Sequence, residues 1–331
     1  MRLSKNIKIF LNYFLGPLLF LWLSWSIYRQ IRNQPHLEAS WLHIRASLES
    51  TRILSFFAAL LLVAVNWGIE AWKWKTCVQS VHPVPYAHAF RAVLAGVSFS
   101  VTMPNRIGEY AGRIMYLPEG KRLKTIANTV VGSVAQLLVT LGAGTAGLLV
   151  LKGPLLAAYP DMEIPFQFLF YGLAAGTLLL TFVYFQANGT LSLFNRWIRR
   201  PQYRYLVEPL SGFTVQRLTY ILLLSGVRYA VFLLQYGLLF YLFGVGVTAG
   251  TVVSTMSVIF LALAVIPSIA LLEVGLRGEI SLQLMGLFTA NSLGVGLTTI
   301  TVWFINLILP AIVGSLLILT LKMFNKKNEH L

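Results

Sequence analysis

Cysteine is nearly missing from this 331-residue chain: Cys77 stands alone, so no internal disulfide can form. No Cys/His cluster has zinc-site spacing, and no metal or other cofactor is expected. Acidic residues are scarce too, 11 Asp and Glu against 26 Lys and Arg, for a net charge of +15. No Ser/His/Asp set, carboxylate dyad or P-loop can be read, so an enzyme is not expected. Charged residues of both signs reach only 11%, where a soluble domain carries about 25%. That shortage excludes an ordinary soluble globular protein.

What is present is apolar: 57% of the residues are hydrophobic, and the mean hydropathy is +0.72. Disorder needs low hydrophobicity and is excluded. In a soluble protein a pI near 10.1 would point to nucleic acid. In a membrane protein the same excess marks cytoplasmic loops and anionic headgroups, so no nucleic-acid partner is expected.

A helix needs about 20 mostly apolar residues to cross the hydrocarbon. Six segments qualify: 9–28, 53–72, 125–150, 165–186, 218–243 and 295–320. The first follows Arg2, Lys5 and Lys8 but has no small-residue cleavage site, which predicts an uncleaved span. Two further apolar stretches, 89–103 and 251–266, are short and run into Pro104 and Pro267, then into charge. Such segments fit re-entrant or broken helices; eight ordinary spans are the alternative.

Loop charge gives the orientation. With both termini in the cytoplasm of a cell-membrane protein, the basic-rich regions around 1–8, 73–88, 104–124, 187–217 and 322–327 fall inside. The segment 29–52, with four arginines, is the exception. The expected organisation is one membrane domain: first span and loop (1–52), repeat unit 1 (53–186), a basic cytoplasmic linker (187–217), then repeat unit 2 and tail (218–331). The fold expected is thus an all-α polytopic membrane protein with six full spans and two re-entrant helices in an inverted-topology repeat.

The turns after the short stretches resemble each other. Pro104 is followed by Arg106, Gly108, Glu109 and Arg113; Pro267 is followed by Glu273, Gly275 and Arg277. Each glutamate precedes an arginine by four residues, which puts the pair on one helix face. The plain alternative is a helix-end ion pair in water, which contributes little. The functional reading is a polar cavity inside the membrane, since a charge at the bilayer centre costs about 2.5–3.5 kcal/mol unless paired or hydrated. Arg106 would be the surplus cation, and a guanidinium fork suits phosphate oxygens. Pro104, Gly108, Pro267 and Gly275 would break the helices and free backbone groups for that cavity.

Arg228 falls midway in its span and calls for a buried carboxylate, with Glu273 or Glu279 as candidates. Glu70, among Trp67, Trp72 and Trp74, reads as interfacial. Gln136 and Asn306 read first as interhelical glue and second as cavity lining. The glycines at 142, 144 and 147 and at 172 and 176 read as helix-packing stripes.

The run Met103-Pro104-Asn105-Arg106-Ile107-Gly108-Glu109-Tyr110-Ala111-Gly112-Arg113 resembles the lysylphosphatidylglycerol synthase transmembrane, or flippase-like domain, family. The Ile-Pro run with Glu273, Gly275, Arg277 and Gly278 is similar to it as well, as is Asn306 followed by Pro310 and Gly314. The similarity covers roughly 50–320. It implies a prokaryotic integral membrane protein with a lipid-translocating domain. The aminoacyl-transferase domain of the multiple peptide resistance factor has no counterpart before Leu331, so lysyl transfer is not expected.

The expected function is movement or binding of an anionic or phosphate-bearing lipid between leaflets. The partners would be membrane lipids, an anionic phospholipid or a lipid-linked headgroup, and a homo-oligomer is left open. Substrate-binding residues would be Arg106, Glu109, Arg113, Glu273, Arg277, Arg228, Gln136 and Asn306. A carrier for a soluble anionic metabolite, or a non-transporting partner of a lipid or glycan biosynthetic enzyme, are the alternatives.

Overall fold

The computed structural model describes residues 37–102, 107–186, 212–266 and 270–328, together with Leu210 and a few positions between 21 and 33. All secondary structure among the described residues is helical. The helices are α1 (Leu37–Leu48), α2 (Leu54–Val78), α3 (Tyr86–Thr102), α4 (Gly108–Ile114), α5 (Arg122–Ala158) and α6 (Glu163–Phe185). They are followed by α7 (Val215–Leu242), α8 (Ala249–Val265), α9 (Ala270–Met285), α10 (Ser292–Trp303) and α11 (Leu309–Asn328), with a π-helical turn at Phe304–Ile308 between the last two.

Five helical stretches among the described residues are long and apolar enough to cross a membrane: Thr51–Val78, Glu119–Ala158, Pro160–Phe185, Val215–Leu242 and Ser292–Leu319. Each contains one of the expected spans or overlaps most of it. The expected span 9–28 and most of the basic linker lie outside the described residues. The two short apolar stretches form α3 and α8, each 17 residues long. At about 1.5 Å per residue they rise roughly 25 Å, short of the ~30 Å core.

Local chemistry sets several helix ends. The side chains of Thr214, Thr248 and Asn291 accept from the backbone N–H of Arg217, Thr251 and Gly294, capping α7, α8 and α10. Gly244, at φ 67°, ends α7 in the left-handed conformation that glycine adopts without a Cβ penalty. The Val245 N–H then returns to the Phe240 carbonyl at 2.8 Å and that of Gly244 to Tyr241 at 3.4 Å, a Schellman closure. Pro310 has no N–H to donate to the Asn306 carbonyl one turn earlier, and the widened π turn falls there.

α2 and α7 form an antiparallel pair through the middle of the molecule. Going along α2, Arg52 lies over the Tyr241 ring, the Ala59 carbonyl accepts from Gln235 at 3.0 Å, and Glu70 meets Arg228. At the other end Trp72 donates to Tyr220 at 2.8 Å and Gln79 accepts from Arg217 at 3.2 Å. α5 starts beside the Gln79 end, where Asn128 donates to the Cys77 carbonyl at 2.9 Å. α8 starts beside the Arg52 end and packs on α5. A Cβ at Gly147 would stand 2.7 Å from the Ser254 carbonyl, and one at Gly144 2.5 Å from the Leu261 side chain.

α3 packs on α11 in the same close manner: Ser98 donates to the Ala311 carbonyl at 2.7 Å, and a Cβ at Gly314 would collide with the Leu94 carbonyl. α4 folds back along α3 because Gly108 and Gly112 leave room for its backbone at Phe99 and Ala95. A continuous apolar core joins α2, α3, α7, α8, α9 and α10 around Trp74, Tyr236, Phe240, Met256 and Met285.

Two expectations are corrected. Gly275 does not break a helix; it is buried inside α9, which is continuous from Ala270 to Met285. A lone glycine costs a helix about 1 kcal/mol relative to alanine, too little to interrupt a packed one. Gly108 starts α4 and serves close packing. The stripe at Gly172 and Gly176 packs nothing among the described residues: a Cβ at either meets open space, as it does at Gly142. Pro104 and Pro267 lie outside the described residues.

A buried charged cavity as the candidate functional site

Asn66 and Arg228 lie halfway along α2 and α7, and the polar groups of the molecule converge on them. Arg228 Nε donates to Asn66 Oδ1 at 2.8 Å, and its Nη1 contacts Glu70 Oε2 at 2.7 Å. Glu70 is only 4% exposed and faces two further cations, Lys73 at 2.8 Å and Arg113 at 2.9 Å. The Arg113 Nη2 that reaches Glu70 also reaches Glu109 at 3.0 Å, so α4 is tied to α2 by shared ions. A buried carboxylate keeps its charge only when paired and hydrogen-bonded, and three cations supply that here.

Asn306, carried inward on the π turn, donates to Gln235 at 3.1 Å and to the Val302 carbonyl at 3.0 Å, and accepts from Asn66 at 3.3 Å. In the second half, Arg277 donates to Glu273 at 2.7 Å and to the Tyr236 hydroxyl at 3.2 Å. Both Glu-x-x-x-Arg pairs therefore close on their own helices, as their spacing predicts.

A partly open cavity of about 170 Å³ lies between these groups. Of the expected site residues, Glu109, Gln136, Arg228, Glu273, Arg277 and Asn306 line it. Arg113 stands behind the wall on Glu70 and Glu109, and Arg106 lies outside the described residues. Aromatic walls come from Trp67, Tyr229, Phe232, Phe260 and Trp303. Trp67 and Phe232 lie under the Arg228 guanidinium at 5.1 and 5.6 Å, and Phe260 under that of Arg277 at 6.0 Å. Such cation–π contacts gain strength when desolvated, roughly 2 kcal/mol.

The residue that sequence reasoning misplaced is Glu70. It belongs to no interfacial belt: Trp67 and Trp74 beside it are 5% and 1% exposed, and only Trp72 is well exposed, at 45%. α2 also continues past residue 72 to Val78, so Lys73 is a buried ion-pair partner and not a loop charge. The available signal was Asn66, Glu70 and Lys73 at helical spacing on one face. Arg228 meets a buried carboxylate, as its place in the span predicts, and Glu70 supplies one that was not among the candidates.

No protein-family model matches this chain, and no curated protein or solved structure is significantly similar to it.

Proposed function

We propose that this multi-pass membrane protein is a flippase-like lipid transporter, in which the central cavity takes an anionic or phosphate-bearing headgroup while the acyl chains stay in the bilayer. The observation that carries this reading is the convergence of Glu109 and Glu273, first-turn glutamates of α4 and α9, on one cavity halfway along the α2–α7 pair. Charged groups at that depth are normally functional, because each is costly there.

The packing supports an inverted repeat for the same purpose. α2, α3, α4 and α5 correspond to α7, α8, α9 and the α10–α11 span. α3 lies on the last span as α8 lies on α5, and α2 runs antiparallel to α7. On this reading α3–α4 re-enters from the Gln79 end and α8–α9 from the Arg52 end. The basic loops support a cytoplasmic place for the Gln79 end in a cell membrane. The resemblance to the flippase-like domain family points to the same class of activity.

Fluorescent-lipid translocation in proteoliposomes tests the proposal. The parent should equilibrate an anionic lipid between leaflets, and Glu109→Gln and Arg277→Ala should slow it at least about tenfold, a loss of roughly 1.4 kcal/mol. Equal rates in parent and variants would remove these residues from the path.

A further inference from the structure

The cavity wall holds buried polar atoms with no hydrogen-bond partner among the described residues. Three are donors: Trp67 Nε1, Trp303 Nε1 and Arg277 Nε. One is an acceptor, Gln136 Oε1. Burying such groups unpaired costs free energy, so donors gathered around one cavity call for a ligand rich in acceptors. The charge agrees. In and behind the wall stand four cations, Lys73, Arg113, Arg228 and Arg277, against the carboxylates of Glu70, Glu109 and Glu273. Glu109 and Glu273 each contact an arginine of their own helix, which tempers their repulsion of an anion.

Size narrows the class. An engineered cavity of about 150 Å³ binds benzene, a molecule of six heavy atoms. The 170 Å³ here therefore suits a compact group and not an oligosaccharide. We propose that the cavity is a phosphate-ester site, in which Arg277, Trp303 and Trp67 donate to the oxygens of a single phosphate and Gln136 accepts from a hydroxyl on it or on a short substituent. The inference rests on the transport reading for its setting but is tested by binding. The phosphate belongs to a lipid headgroup or to a free ester, and the two are separable.

The test is thermal stabilisation and tryptophan fluorescence of the full chain in a phosphate-free glycoside detergent. Sodium phosphate and glycerol 3-phosphate are compared with chloride at equal ionic strength, and phosphatidic acid with diacylglycerol of the same acyl chains. Stabilisation by the soluble ligands identifies a free ester; stabilisation by phosphatidic acid alone identifies a lipid headgroup. In either case Arg277→Gln should weaken binding about tenfold or more and Trp303→Phe severalfold, as expected for lost hydrogen bonds to a charged ligand. Trp303→Phe removes the N–H donor but keeps an aromatic ring in the wall, which guards against a folding artefact. The site is overturned if no phosphate compound stabilises more than its control, or if both variants bind as the parent does. Phosphate binding without lipid movement in proteoliposomes defeats the transport reading alone. Equal movement of phosphatidic acid and a neutral glycolipid, without phosphate binding, defeats the phosphate site alone.

Discussion

The two returning helices, α4 and α9, carry the same Glu-x-x-x-Arg spacing but are anchored by different chemistry. Arg113 of α4 shares Glu70 with Lys73 and Arg228, so the first half is fixed to α2 and α7 by buried ions. Arg277 of α9 reaches a neutral partner outside its own helix, the Tyr236 hydroxyl on α7. A buried ion hub is hard to open, because each member left behind is an uncompensated charge. A single hydrogen bond from a cavity-lining arginine to a neutral hydroxyl is far easier to exchange for a ligand. The first half thus resembles a fixed frame, and two of the three donors left for binding, on Arg277 and Trp303, lie in the second half.

The sharpest way to break this comparison is Glu70→Gln. It leaves Lys73, Arg113 and Arg228 facing a neutral amide, and the expected loss is about 3–5 kcal/mol, read as a large fall in thermal stability in detergent. A melting temperature close to the parent's would show that the hub does not hold α4. Tyr236→Phe comes next. It removes one hydrogen bond while the cavity can supply water, so a loss of about 1 kcal/mol is expected, with the phosphate affinity changing more than the melting temperature. Should Tyr236→Phe unfold the protein as Glu70→Gln does, the two halves are equally rigid and the asymmetry is wrong. The smallest effect is expected for Gly176→Leu on α6, within about 0.5 kcal/mol in the isolated protein, since no described atom lies near a Cβ there. A marked fall in stability at Gly176 would mean that α6 packs more tightly than the open space beside it implies.

Much of the frame was legible because it rests on local signals. Long apolar runs gave the spans from 53 onward, and the short runs before Pro104 and Pro267 gave α3 and α8. Both Glu-Arg pairs follow from i, i+4 geometry, which needs only a helix. In the first stripe Gly144 and Gly147 pack closely and Gly142 does not, whereas Gly172 and Gly176 have the same composition and no packing partner. A small residue permits close approach but does not create it. Gly275 was misread for a related reason, since burial and neighbouring packing hold its helix together.

The hub was not legible because its members are far apart in the chain. Glu70 lies 43 residues from Arg113 and 158 from Arg228, and nothing at residue 70 encodes either partner. Nearby tryptophans made an interfacial place for Glu70 look natural, yet two of the three face inward. By itself the sequence determined that the chain is helical and apolar enough to span a membrane, because hydrophobic periodicity and length act locally. Only the tertiary structure decided which charges neutralise one another, because desolvated ions are stabilised by whichever partners the packing of α2, α4 and α7 brings within about 3 Å.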